Sequence, residues 1–349
     1  MRKIGSDGTW THDAAAGESN LLGAVFGDVF SFAALGQHPL DAAGHAGFAW
    51  TPGAYGGTGI GALVEAVPVG NLGEWEDGSE VMAAAVALGF NATAAVTTAG
   101  KVMTSYVSTH SASLFNIKVN FAGSLWTADL QKAFVRAVDN LESIIQGDLP
   151  NASIRSAAGI TVVDDLEITA TLANIDGVGK ILGQAGPQFV RAGSNIPVVG
   201  AMTFDVADAA KLAGAVRSAD ATHSETLWDV VVEHEMLHVL GIGSIWSIDH
   251  LLTTKNGALV YTGQSGGLEY AKLLNPAAKV AVPIPVEMGG GAGTAGSHWK
   301  EAAFTKELMT GYINDSYNPV SKMTAASLGD LGYKLAAQSA WHVDPYGIA

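Results

Sequence analysis

A His-Glu-x-x-His motif at residues 234–238 constrains this chain more than any other feature of its sequence. On a helix, side chains four residues apart lie on one face, so His234 and His238 can hold one metal ion together. Glu235 follows the first histidine directly, and its carboxylate can reach a water at the metal without binding the metal itself. This is the layout of a zinc hydrolase whose glutamate acts as general base. The motif lies in an apolar run, and we expect its helix to end at Gly241.

The composition narrows the kinds of site and partner that the chain can have. None of its 349 residues is cysteine, which excludes disulfides, thiolate zinc sites and a cysteine nucleophile. Any metal must therefore be held by histidine, aspartate or glutamate. The 33 acidic residues outnumber the 18 basic ones, and the net charge of -15 argues against nucleic acid or an anionic membrane surface as a partner. The same acidity is compatible with a structural calcium ion in addition to a catalytic metal.

The sequence shows neither a membrane anchor nor a cleavable signal. The basic residues Arg2 and Lys3 are not followed by an apolar segment. The uncharged stretch at residues 81–100 is rich in alanine, glycine and threonine, so it is too weakly apolar to span a membrane. We therefore expect no transmembrane segment, and secretion by a route that uses no cleavable N-terminal signal, with a cytoplasmic location as the alternative. The oligomeric state is not indicated.

Hydrophobic periodicity becomes clear only after residue 112. Apolar and polar residues alternate at 115–121 and 166–172, which predicts two half-buried strands, and residues 198–204 are a third candidate strand. Thr127 is the expected N-cap of an amphipathic helix, in which apolar residues recur at spacings of three and four. Strands and helices in this order predict an α+β fold with a mixed sheet.

The chain is expected to divide near residue 112. Residues 1–112 form a region rich in glycine and alanine, with weak periodicity and no histidines at ligand spacing. The sequence predicts no fold for this region. We interpret it either as a pro-segment or as an accessory domain. Residues 113–349 carry the motif and are expected to be the catalytic domain.

The motif needs a third ligand, because a catalytic zinc usually takes three protein ligands and keeps one position for water. In the compact form of the motif a third histidine follows shortly after the helix, where this chain has Ser244. Glu269 is one candidate, as a glutamate from a second helix in a thermolysin-like arrangement. The glycine-rich segment at 287–297 and the Glu-Leu-Met-Thr sequence at 307–310 favour His298 instead. The residues alone leave both candidates open.

These segments together resemble the leishmanolysin family of metzincin proteases. The chain has His-Glu-Met-Leu-His-Val-Leu-Gly at 234–241, a long insertion, Ser-His-Trp at 297–299 and then Glu-Leu-Met-Thr. In that family an insertion of several dozen residues displaces the third zinc histidine, and sixty positions separate His238 from His298 here. The similarity covers about residues 115–333, and the chain closely resembles the shorter bacterial members. The protozoan members are rich in disulfides, whereas this chain has no cysteine and so cannot use a cysteine-switch zymogen.

The resemblance implies a zinc-dependent endopeptidase that hydrolyses protein or peptide substrates. It implies a zincin catalytic domain with a twisted, mostly parallel sheet, one zinc ion on His234, His238 and His298, and Met309 in a Met-turn that packs beneath the site. It also implies that an extended substrate adds to an edge strand, for which residues 198–204 are our candidate. The alternative from another functional class is a zinc-binding adhesion or interaction module without proteolysis. Such a module is expected to have lost the general-base glutamate of the motif, yet Glu235 is present in this chain.

Overall fold

The computed structural model describes residues 2–4, 10–12, 27–31, 49–51, 64–68, 101–108, 114–156, 159–179, 181–215, 226–290, 293–313, 318–343 and 346. Its strands are β1 (Arg2–Ile4), β2 (Trp10–His12), β3 (Gly27–Ser31), β4 (Ala49–Thr51), β5 (Val64–Pro68), β6 (Ser105–Val107), β7 (Ile117–Ala122), β8 (Ala152–Ser156), β9 (Gly159–Val163), β10 (Leu166–Ala173), β11 (Ile181–Arg191), β12 (Pro197–Asp205), β13 (Leu252–Lys255), β14 (Ala258–Tyr261) and β15 (Ile284–Pro285). Its helices are α1 (Ala128–Ile144), α2 (Val206–Ala213), α3 (Leu227–Val239), α4 (Gln264–Leu274), α5 (Glu301–Phe304) and α6 (Lys322–Asp330), with a 3-10 turn at Gln338–Ala340. This is a mixed α+β fold, as the sequence predicts.

A mixed sheet forms the scaffold. Its strands follow the order β6-β7-β10-β12-β11-β5-β8-β9, and β3 joins at β11 with β4 beyond it. The expectation of a mostly parallel sheet is wrong. Parallel pairing links β7, β10 and β12, and also β5 with β8, but the other pairs of this sheet are antiparallel. The short connection at residues 192–196 returns the chain directly beside β11, which permits only antiparallel pairing of β11 with β12.

The alternating sequences form strands because one face of each is buried. In β7 the buried side chains are Ile117, Val119 and Phe121, and β10 alternates in the same way. Helix α1 begins where the sequence predicts, since the hydroxyl of Thr127 accepts a hydrogen bond from the N–H of Leu130 at 3.2 Å. It packs its apolar stripe into the core, where each fully buried large side chain contributes roughly 1.5–3 kcal/mol.

An aromatic cluster joins α1, β12 and α3. The ring of Phe204 lies 5.8 Å from that of Phe134 and 4.8 Å from that of Trp228, both in edge-to-face geometry. The indole N–H of Trp228 also donates to the carbonyl oxygen of Leu130 at 2.9 Å. Helix α3 is therefore held against both the sheet and α1.

The N-terminal region contributes strands to the same sheet. β3 pairs with residues 181–185 of β11, and β5 pairs with residues 189–191 of it. Most other residues before 101 lie outside the described part of the chain, so the division into 1–112 and 113–349 stays a prediction. Among the described residues, no helix is both long and apolar enough to cross a bilayer.

Candidate metal centre

Helix α3 carries the motif through the interior of the protein. Thr226 is its N-cap, and Asp229 completes a capping box in which each side chain accepts the other residue's backbone N–H, at 3.3 Å and 2.6 Å. Nearly every side chain of α3 is buried. The helix ends before Gly241, whose φ of 109° lies in the left-handed region, as the sequence predicts.

Three histidine side chains converge at one point. The Nε2 atom of His238 lies 2.7 Å from Nε2 of His234 and 3.3 Å from Nε2 of His298, and the third separation is 3.2 Å. All three residues are fully buried, and they form one of two acidic or histidine groups in the described residues that could hold a metal ion. The structure thus brings together the motif pair and the histidine sixty residues beyond it.

Backbone carbonyl groups determine which ring nitrogens carry hydrogen. The Nδ1 atom of His234 lies 2.7 Å from the carbonyl oxygen of Leu308, and Nδ1 of His238 lies 2.7 Å from that of Ile242. A carbonyl oxygen only accepts, so each Nδ1 donates. Burial holds the pKa of His234 well below its usual range and lowers that of His238 to about 3, so both rings are neutral. Their Nε2 lone pairs therefore point toward the common centre.

His298 follows the same orientation. Its Nδ1 atom lies 3.2 Å from the carbonyl oxygen of Thr294 and 3.0 Å from the hydroxyl oxygen of Ser297. A carbonyl oxygen only accepts, and the Ser297 hydroxyl donates to the carbonyl oxygen of Gly293 at 2.8 Å, so Nδ1 of His298 is the donor. In the neutral ring, Nε2 of His298 then presents a lone pair to the centre. Three lone pairs at about 3 Å repel one another unless a cation lies between them, so this donor set suits a metal ion.

The segment that ends at His298 is anchored, although its glycine content resembles that of a linker. The N–H of Glu287 donates to the carbonyl oxygen of His298 at 2.9 Å, and the Glu287 carboxylate accepts the N–H groups of Met288, Gly289 and Glu301 at 2.9–3.1 Å. Beyond the histidine, the N–H of Trp299 donates to the carbonyl oxygen of Met309. These bonds fix the path of the chain on both sides of the third histidine.

Gly243 permits the close approach of this segment to the end of α3. Its φ is 76°, and a Cβ atom there would lie 2.0 Å from the carbonyl oxygen of Ser297. Only glycine has both the backbone freedom and the space for this contact. This role is not evident from the sequence, in which Gly243 is one of 43 glycines.

We expect Gly243→Ala to lower the free energy of unfolding by roughly 2–4 kcal/mol and to weaken metal binding, because the added methyl group displaces Ser297 and with it His298. Thermal unfolding and chelator competition measure the two effects. Gly257→Ala is the matched control, since Gly257 has a φ of 79° with no atom within 4 Å of the added Cβ. Equal losses in both variants would contradict the close-contact explanation.

Glu235 lies at the point where β11 passes the motif helix. The residue is fully buried, and its Oε1 atom would be 3.2 Å from a Cβ atom placed on Gly183 of β11. The same Cβ would lie 2.7 Å from the ring of Phe204. Glycine at 183 therefore leaves room for the Glu235 carboxylate between β11 and α3, a role that is not evident from the sequence.

The structure places the two remaining candidates differently. Met309 is fully buried and directly follows Leu308, whose carbonyl oxygen binds His234. Glu269 lies on α4, where its Oε1 atom accepts bonds from Lys272 at 2.7 Å and from Gln338 at 2.8 Å. It is not in the histidine group, so the structure does not bring the thermolysin-like third ligand to the site.

A second group, Asp148, Asp164 and Asp165, consists of acidic residues only. Both oxygens of Asp165 already accept backbone N–H groups, from Leu149 at 2.7 Å and from Asn116 at 2.8 Å. Two of the three residues are exposed, and such exposed acidic groups are common without an ion. The structural calcium ion stays a prediction.

A comparison with known families finds a match in the C-terminal part of the chain. A family model described as leishmanolysin matches residues 278–348. No curated protein matches the chain. The matched segment includes His298 and Met309 and begins after the His-Glu-x-x-His helix. Residues 278–348 are therefore similar to the leishmanolysin family, which is a family of zinc metallopeptidases.

Proposed function

We propose that this chain is a zinc endopeptidase in which His234, His238 and His298 hold one zinc ion and Glu235 is the general base. The observation that carries this proposal is the convergence of three buried imidazole Nε2 atoms, two of them from the helix that also carries the buried Glu235. In a tetrahedral site with Zn–N bonds of ~2.0–2.1 Å, ligand nitrogens lie about 3.3 Å apart. The separations of 3.2 Å and 3.3 Å agree with this value, and the pair at 2.7 Å is closer.

The protein groups divide the chemistry between them. A zinc ion held by the three histidines would supply Lewis-acid chemistry, polarising the scissile carbonyl and lowering the pKa of water toward ~7. Glu235 accepts the proton of the attacking water at a carboxylate oxygen and delivers it to the nitrogen of the leaving amine. The carbonyl oxygens of Leu308 and Ile242 keep the rings of His234 and His238 in the orientation that ligation needs.

The proposed substrate strand differs from the sequence prediction. Residues 198–204 are wrong as the edge strand of the cleft, because β12 lies inside the sheet between β10 and β11. β11 is the better candidate, since Gly183 on it lies beside Glu235. β3 pairs antiparallel with β11 there, with Phe30 opposite Gly183. We propose that an extended peptide binds β11 in this direction and displaces β3 when it does so.

Removal and return of the metal tests the proposed function. We expect 1,10-phenanthroline to abolish cleavage of a casein substrate, and one equivalent of zinc per chain to restore it, because hydrolysis needs the ion to activate the water and polarise the carbonyl. Atomic absorption measures bound zinc, and release of acid-soluble peptides measures cleavage. Cleavage that continues in protein with less than a tenth of an equivalent of zinc would disprove the proposal.

We further propose that Met309 forms a Met-turn beneath the metal site, that the protein is secreted, and that it is similar to the short bacterial members of the leishmanolysin family.

A further inference from the structure

A buried glutamate lies next to the proposed metal centre, and the proposed mechanism does not use it. Glu307 is fully buried. Its Oε1 atom accepts bonds from the N–H of Ser321 at 3.0 Å, the Ser321 hydroxyl at 2.7 Å and the Thr324 hydroxyl. Its Oε2 atom accepts the N–H of Met309 at 2.6 Å. Burial raises the pKa of Glu307, whereas these four bonds favour the charged form and oppose that rise.

The contact of Oε2 joins Glu307 to a zinc ligand through one peptide group. The N–H of Met309 and the carbonyl of Leu308 belong to the same peptide bond. The carbonyl oxygen of this peptide group lies 2.7 Å from Nδ1 of His234, and its N–H, that of Met309, donates to Glu307 at 2.6 Å. A hydrogen bond accepted by a carboxylate polarises the amide and makes its oxygen a stronger acceptor. The carboxylate therefore acts on the ring of His234 without contacting it.

The Nδ1 atoms of the other two histidines have different hydrogen-bond partners. His238 donates to the carbonyl oxygen of Ile242, which continues the chain directly after its helix. His298 lies near Thr294 and Ser297 within its own loop. Among the described contacts of the three rings, only the one at His234 leads through an amide to a buried carboxylate.

We propose that Glu307 is a positioning residue whose negative charge, relayed through the Leu308–Met309 peptide group, strengthens His234 as a metal ligand. Carboxylates that bind a ligating histidine directly raise its basicity and orient its ring. Here the peptide group stands between the two. The inference rests on the proposed metal site, and it concerns metal affinity rather than the hydrolytic step.

Glu307→Gln tests the relay, because it removes the charge and nearly preserves the volume of the side chain. We expect the zinc dissociation constant, measured by chelator competition, to rise about tenfold. In the proton NMR spectrum of the zinc-loaded protein, the Nδ1–H resonance of His234 should shift upfield, while those of His238 and His298 stay near their wild-type positions. An unchanged dissociation constant, or equal shifts of all three resonances, would overturn the proposal.

Glu142→Gln is the matched control for loss of a buried carboxylate. Glu142 lies on α1 and accepts the N–H of Ile117 at 3.0 Å, away from the loop that holds Met309. We expect this variant to change thermal stability while its zinc affinity stays within twofold of wild type. A tenfold loss of zinc affinity in this control would show that general destabilisation weakens the site, and it would overturn the relay.

Ser321→Ala keeps the proposal testable if Glu307→Gln does not fold. It removes one hydroxyl bond to Oε1 and leaves both the carboxylate and its contact with Met309. The relay predicts a lower melting temperature with zinc affinity unchanged, whereas a purely structural clamp predicts that both fall together. A selective His234 shift in zinc-loaded Glu307→Gln, together with a wild-type chain that binds zinc yet cleaves no protein, would support the relay and overturn the protease function.

Discussion

Glu235→Gln should lower kcat/KM for a peptide substrate by roughly 10²–10⁴-fold while zinc remains bound at one equivalent. The amide has nearly the volume of the carboxylate, so it fits the buried space beside Gly183. It cannot accept the proton of the attacking water, and it therefore removes base catalysis without removing a metal ligand. A fluorogenic peptide measures the rate, and atomic absorption measures the metal.

Glu233→Gln is the control for this substitution. Glu233 lies two residues earlier on α3 and is partly exposed, outside the histidine group. We expect it to retain wild-type activity. If Glu235→Gln cleaved peptides at the wild-type rate, another group would have to be the base. If the wild-type chain bound zinc but cleaved nothing, the binding or adhesion module would be the better description.

His298→Ala should weaken zinc binding by more than about 100-fold, whereas Glu269→Ala should leave it unchanged. Zinc binding free energies of ~10–16 kcal/mol are shared among a few ligands, so loss of one removes at least ~3 kcal/mol. His298 presents its Nε2 atom 3.2 Å and 3.3 Å from those of the motif histidines. The Glu269 carboxylate instead binds Lys272 and Gln338.

Chelator competition on both variants separates the two arrangements. Glu269→Ala also serves as the control for a lost buried acid, because Glu269 is buried and forms an ion pair with Lys272. Retention of zinc by His298→Ala together with its loss from Glu269→Ala would restore the thermolysin-like alternative. Loss of zinc from both would show that α4 supports the loop that carries His298.

Local sequence patterns predicted the elements well where burial is one-sided. Alternation at 115–121 and 166–172 corresponds to β7 and β10, because a strand with one buried face needs apolar side chains at every second residue. The Thr127 cap located the start of α1 for an equally local reason. The order of strands was not predicted, and residues 198–204 were wrongly placed at an edge. Sheet order depends on pairing between distant segments, which leaves no local pattern.

The sequence by itself determined the donor chemistry of this protein. Without cysteine a metal must be held by imidazole or carboxylate, and the four-residue spacing of His234 and His238 follows from helix geometry alone. Only the tertiary structure placed His298 beside them and Glu269 elsewhere. It also decided that carbonyl oxygens turn the Nε2 lone pairs inward, and that Glu307 reaches His234 through a peptide group. Backbone carbonyls are identical in every residue, so their directions depend on the folded path of the chain.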